Sequence, residues 1–138
     1  MKKTRYLSVE EAEWSHARIL EVTGGEPGDL ARANLEFVLE RVKAIGEGLE
    51  RKEAVVKKAA FLLYSLVTQH PFINGNKRTA FEVVDVFLEL NGYALQAKTD
   101  EVYTTLSDLG SGKASQTRVE DWIATNLAER KRRSRGGS

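Results

Sequence analysis

Apolar residues along this chain recur at helical spacing in six blocks, separated by stretches rich in glycine, proline and asparagine. Ser8, with Glu11 three residues on, makes a capping box, and Val9, Ala12, His16, Ile19 and Leu20 follow on one face. His16 lies on that stripe and reads as a hydrogen-bonded histidine at the edge of the core. Trp14 lies off the stripe, and Gly24-Gly25 with Pro27 beyond stops the helix. A second helix is predicted from Asp29 to Lys43, with Leu35, Val38, Leu39 and Val42 buried. Gly46 and Gly48 then break the pattern in a charged context, which predicts a loop; a small β-hairpin over Ala44 to Lys52 is compatible with it. The third helix runs from Glu53 to Gln69 and is apolar from Ala59 to Val67 apart from Ser65, so it should be central. The fourth starts at Asn74 or Gly75 and runs to Leu90, with Glu82, Asp85 and Glu89 as one narrow polar stripe. Asn91-Gly92 ends it, and Tyr93 to Ala97 is briefly extended. A fifth helix, capped by Thr99 or Asp100, carries Val102, Tyr103, Leu106 and Leu109 and stops at Gly110 to Gly112. In the sixth, Thr117 and Glu120 form a capping box before Val119, Trp122, Ile123 and Leu127. The expected fold is all-α, a compact bundle of six helices.

Composition adds mainly exclusions. At 138 residues the length suits one domain, residues 1–130, followed by a basic tail at 131–138 that reads as frayed and solvated. Lys plus Arg is 21 and Asp plus Glu is 20, so net charge does not argue for nucleic acid as a partner. The absence of cysteine excludes disulfides and thiolate metal sites, and two histidines leave little for a zinc site. The apolar run Ala59 to Leu63 is far short of the ~20 residues a membrane span needs. No apolar segment follows the first residues, Met-Lys-Lys-Thr-Arg-Tyr, so the expectation is a soluble cytoplasmic protein.

Between the third and fourth helices runs His70-Pro71-Phe72-Ile73-Asn74-Gly75-Asn76-Lys77-Arg78. Pro71 disfavours helical geometry at His70. Asn74 is placed to cap the next helix, and Gly75 lets backbone approach a ligand. The free N–H groups of Gly75, Asn76 and Lys77 then sit at a helix N-terminus, where an anion is favoured. Lys77 and Arg78 add cations that oppose the helix dipole unless an anion is bound. A histidine here can take a proton from a hydroxyl as it attacks phosphorus. From the residues alone this is either a phosphate site beside a histidine or a helix–helix loop with solvated cations.

The same stretch resembles the signature of the Fic/Doc family, histidine-x-phenylalanine-x-acid-glycine-asparagine-glycine-arginine. It is most similar to the death-on-curing (Doc) toxin branch, which has lysine before the arginine, as Lys77 stands here. The resemblance extends over most of the chain and includes the Gly24-Gly25-Glu26-Pro27-Gly28 turn and Asn91-Gly92. It implies the Fic fold and a transferase that uses ATP or another nucleoside triphosphate, with Mg²⁺. By this resemblance His70 is the general base and Phe72 anchors the loop in the core. Gly75 and Asn76 line the anion hole beside Lys77, and Arg78 holds the terminal phosphates. A flap that grips the target by strand-like pairing falls at Ala44 to Lys52.

Two features set this chain apart from the general Fic pattern. Lys77 replaces the glycine of AMP-transferring members and obstructs the usual α-phosphate seat, and Phe81 replaces an arginine; the Doc branch shares both features. The implied reaction is therefore phosphoryl transfer to a hydroxyl side chain of a target protein such as a translation elongation factor, with AMP transfer as the alternative. Asn74 stands where the family has a metal-binding acid. Either Mg²⁺ binds through Asn74 and the phosphates alone, or Glu47 or Glu50 supplies charge, or the chain is a nucleotide- or partner-binding module without turnover. The nearest match to the family's internal inhibitory motif is Thr125-Asn126-Leu127-Ala128-Glu129, but Arg130 follows it, and the stretch also fits a plain helix end. The resemblance therefore implies restraint in trans by a small antitoxin protein.

Overall fold

In the structure, a computed structural model describing residues 3–130, six helices surround one core. In chain order they are α1 (Val9–Thr23), α2 (Arg32–Arg41), α3 (Arg51–Gln69), α4 (Asn76–Leu90), α5 (Thr99–Gly110) and α6 (Gln116–Asn126). A short 3₁₀ turn, Val42–Ala44, continues α2. The tail at 131–138 lies outside the described residues.

The apolar stretch of α3 makes it the axis, packed on α4 and α6 and touched by α2 and α5. Its Val55, Ala59, Leu62, Leu63, Leu66 and Val67 are fully or almost fully buried, as are Ala80, Val83, Val84, Phe87 and Leu88 of α4. Each such large side chain contributes about 1.5–3 kcal/mol through burial. The two helices that frame the His70–Arg78 turn are therefore the most firmly held in the molecule. The capping box of Ser8 and Glu11 on α1 is formed, with bonds of 3.1 and 2.9 Å.

Several elements differ from the sequence expectation. The only sheet among the described residues is not at 44–52: β1 (Tyr93–Leu95) pairs antiparallel with β2 (Leu127–Glu129), Ala94 opposite Ala128. Residues 45–50 form turns instead of a hairpin, because the buried Lys58 donates to the carbonyls of Val42, Lys43 and Ile45 and fixes that corner. This corner lies at the start of α3, one helix length from His70 at its end, roughly 28 Å at 1.5 Å per residue. A flap over the histidine cannot be built from Ala44 to Lys52. The extended pairing sits elsewhere. Asp29 forms an antiparallel bridge with Phe72, Leu30 and Ala31 N–H donate to the Pro71 carbonyl at 2.9 and 3.0 Å, and Ile73 N–H donates to Gly28 at 3.2 Å. Asp29 is used in that ribbon, so α2 begins only at Arg32. Ser115, and not Thr117, caps α6, accepting from Arg118 N–H, while Glu120 pairs with Lys57 at 2.9 Å. Tyr103 is 60% exposed and is not part of the core.

Candidate active site

His70 ends α3 in a left-handed conformation, φ 47° and ψ 59°, the one non-glycine residue with positive φ among those described. Pro71 excludes the right-handed helical region at His70, and the chain must still turn sharply into the loop. The ring Nδ1 lies 3.1 Å from the Thr68 carbonyl. A carbonyl only accepts, so Nδ1 carries the proton of the neutral ring and Nε2 keeps its lone pair.

The loop that follows is closed by its own side chains. The carboxamide of Asn76 accepts from Phe72 N–H at 3.0 Å and donates to the Phe72 carbonyl at 2.8 Å. Phe72 is 2% exposed and stacks on His16, ring centroids 3.9 Å apart and planes 10° apart. His16 Nε2–H donates to the Asn74 carbonyl at 2.8 Å. The histidine read as a bland core-edge residue is buried and hydrogen-bonded as expected, but its partner is the His70–Arg78 loop. Phe72 thus ties the loop into the core.

Gly75, φ 75°, caps α4 without a side-chain hydrogen bond, so Asn74 is not the N-cap. A Cβ on Gly75 would stand 3.4 Å from Leu20 and 3.8 Å from His16 and Ile19, so glycine here serves close packing on α1 as well as the turn. Asn74 Oδ1 turns instead toward the connection after α1, 3.5 Å from Glu26 N–H. No protein acceptor is recorded among the described residues for the N–H groups of Gly75, Asn76, Lys77 and Arg78, while Thr79 N–H closes the first helical turn on Gly75. Free donors at a helix N-terminus form an anion seat.

A pocket of about 400 Å³ covers these groups, lined by His70, Ile73, Asn74, Gly75, Asn76, Lys77 and Arg78 together with Val67 and Gly110. Lys77 and Arg78 form no ion pair among the described residues. Past Arg78 lies a second pocket of about 330 Å³, with Phe81, Asp85, Leu95, Val102 and Tyr103 in its walls. Burial, and then the charges of Glu82 and Glu89, push the Asp85 carboxyl above its usual range. His70 and Ile73 to Arg78 thus line one pocket, and two side chains depart from expectation: Asn74 does not cap α4, and Asn76 spends its carboxamide on the loop, leaving its backbone N–H open.

The sequence model of the Fic/DOC family matches residues 6–88, more than half of the chain. The chain belongs to the Fic/DOC family. It is also 35% identical over 94 residues to Toxin Doc of Mycolicibacterium smegmatis, a match covering 68% of this chain and 71% of that protein. The matched stretch takes in the whole ribbon between 28–31 and 71–73 and both histidines.

The donor set at the Fic/DOC loop does not fit a Mg²⁺ ion held by protein carboxylates. Asn74 offers a neutral oxygen that faces Glu26 N–H, and no cluster of three or more His, Cys, Asp or Glu among the described residues is arranged for a metal. Glu50 does not supply the missing charge: it caps α3 at the far end of that helix, accepting from Glu53 N–H at 3.0 Å, and Glu47 lies in the same distant corner. Sequence reading missed His16 and Asp29 as loop holders. The signal for the first was a histidine on an apolar stripe, and for the second there was none.

Proposed function

We propose that this Fic/DOC chain is a Doc-like toxin that transfers a phosphoryl group from a nucleoside triphosphate to a hydroxyl side chain of a target protein, such as a translation elongation factor. The observation that carries this reading is His70, its Nδ1 held by the Thr68 carbonyl and its Nε2 without a protein partner among the described residues, lining one pocket with the residues that open α4. In the step, Nε2 takes the hydroxyl proton while the oxygen attacks the γ-phosphorus. The bond from that phosphorus to the bridging oxygen breaks, and the nucleoside diphosphate leaves with the electron pair. The N–H groups and Arg78 neutralise charge on the phosphate oxygens, the arginine through its planar fork. The second pocket beyond Arg78 has walls that suit the nucleoside. The ribbon partner 28–31, and not 44–52, is the segment we assign as the flap, because it pairs with the loop at 71–73.

Transfer of the γ-phosphate is favoured over AMP transfer by Lys77 in the usual glycine position, by apolar Phe81, and by the similarity to Toxin Doc. A second reading, a nucleotide-binding module without turnover, is favoured by the neutral Asn74. Incubating the protein and cell extract with ATP labelled at the α- or the γ-position separates these. Label from the γ-position on a protein band is the expected result. Label from the α-position indicates AMP transfer, and no label with retained ATP binding indicates the module.

We further propose restraint by a small antitoxin protein. The stretch nearest to an internal inhibitory motif, Thr125 to Glu129, leaves its helix at Leu127 to pair as β2, so it is not an inhibitory helix. Expressing this chain alone and beside its neighbouring reading frame tests the idea. Slowed growth only without the neighbour is expected, and equal growth with no co-purifying small protein argues against it.

A further inference from the structure

Gly110 is the last residue of α5 and lines the phosphate pocket together with His70 and the start of α4. Its backbone gives no reason for glycine. Its φ is not in the left-handed region, and the chain turns later, at Ser111 and at Gly112, φ 80°. Glycine is also among the poorest helix formers. The missing side chain makes room for Lys77. A Cβ on Gly110 would stand 3.3 Å from Lys77 Cδ, 3.7 Å from Nζ and 3.8 Å from Cε. The stem of Lys77 thus lies flat on the bare last turn of α5. Its ammonium lies beside the C-terminal turn of α5, the end of a helix dipole that favours a cation, and this offsets its unfavourable place at the N-terminus of α4.

Building on the phosphoryl-transfer reading, we infer that Gly110 is a positioning residue that seats Lys77 across the end of α5, so that the ammonium stands as a fixed side wall of the phosphate pocket. The N–H groups of α4 stay open to the anion, and Lys77 reaches it from the flank. A side chain at position 110 lifts the lysine stem off α5 and frees the ammonium from that place.

The test reads binding without turnover. Calorimetry with inorganic tripolyphosphate compares the wild type, Gly110→Leu, Lys77→Ala and the double variant. Gly110→Leu is expected to weaken binding roughly tenfold, close to the loss from Lys77→Ala. Added to Lys77→Ala, it is expected to change nothing, because the two act through one group. The melting temperature of Gly110→Leu stays at or above the wild type, since leucine is the better helix former. Wild-type affinity in Gly110→Leu, or an equal further loss in the Lys77→Ala background, overturns the role of Gly110 alone. A wild-type protein that does not bind tripolyphosphate overturns the phosphate pocket itself, and this inference with it.

Discussion

His16 and Asn74 are 58 positions apart in sequence and 2.8 Å apart in the fold, joined through the histidine Nε2–H and the asparagine carbonyl. The first helix is thereby tied directly to the His70–Arg78 loop. Its ring also covers Phe72, so one side chain sets both packing and polar register.

His16→Phe separates these two jobs. The stack on Phe72 is retained and the donor to Asn74 is lost. The expected cost is about 1–3 kcal/mol for a part-buried carbonyl left unpaired. Transfer should fall by about tenfold to a hundredfold through misplacement of the loop. Thermal unfolding and steady-state rates on the same preparation check both; an unchanged rate in the folded variant removes His16 from the positioning of the site.

His70→Ala should leave the fold intact, because the side chain is exposed and bonds only to Thr68 in its own helix. Transfer is expected to drop by about 10²–10⁴, the usual worth of a positioned base. Near-wild-type turnover in a folded His70→Ala protein would rule out this base.

Asn74→Asp puts a formal charge where the loop has a carboxamide. An Asp keeps an oxygen for Glu26 N–H, so stability should change little. The concentration of Mg²⁺ that half-saturates transfer should fall, and the rate should rise. An unaltered Mg²⁺ titration means that position 74 does not face the metal.

Asp85→Asn tests the second pocket through pH. Burial, Glu82 and Glu89 raise the folded-state value of this carboxyl above its ordinary 3.8. The folded protein therefore holds the Asp85 proton more tightly than the unfolded chain does. The penalty for ionising it is absent below pH 3.8, grows as pH rises toward the folded value, and is complete above it. Asp85→Asn should raise the melting temperature at pH 7 and give no gain below pH 3.8. An equal gain at both pH values would assign the effect to packing instead of charge.

The six helices were legible because each buries a stripe with helical period, and α3 and α4 could be placed at the centre because they are apolar almost all round. The site was legible because its residues from His70 to Arg78 are contiguous. What the sequence hid is what crosses it. Glu50 and Ser115 cap helices that simple spacing begins elsewhere. Lys58 binds three carbonyls that no local pattern announces. Asp29 looks like a helix start until Phe72 claims its backbone. A flap assigned by order along the chain went to the connection before α3, whereas the backbone bonds put the ribbon in the connection before α2.

That ribbon gives the protein a built-in reporter. Leu30, Ala31 and Ile73 N–H are protected only while 28–31 lies against 71–73, and the surrounding residues from 21 to 30 are all exposed. Their amide hydrogens exchange with solvent through parting of the two segments, an opening that does not require unfolding of α3 and α4. Anything that settles on the rim of the site, whether nucleotide, target or inhibitor, will be visible as slower exchange at these three amides before any reaction is measured.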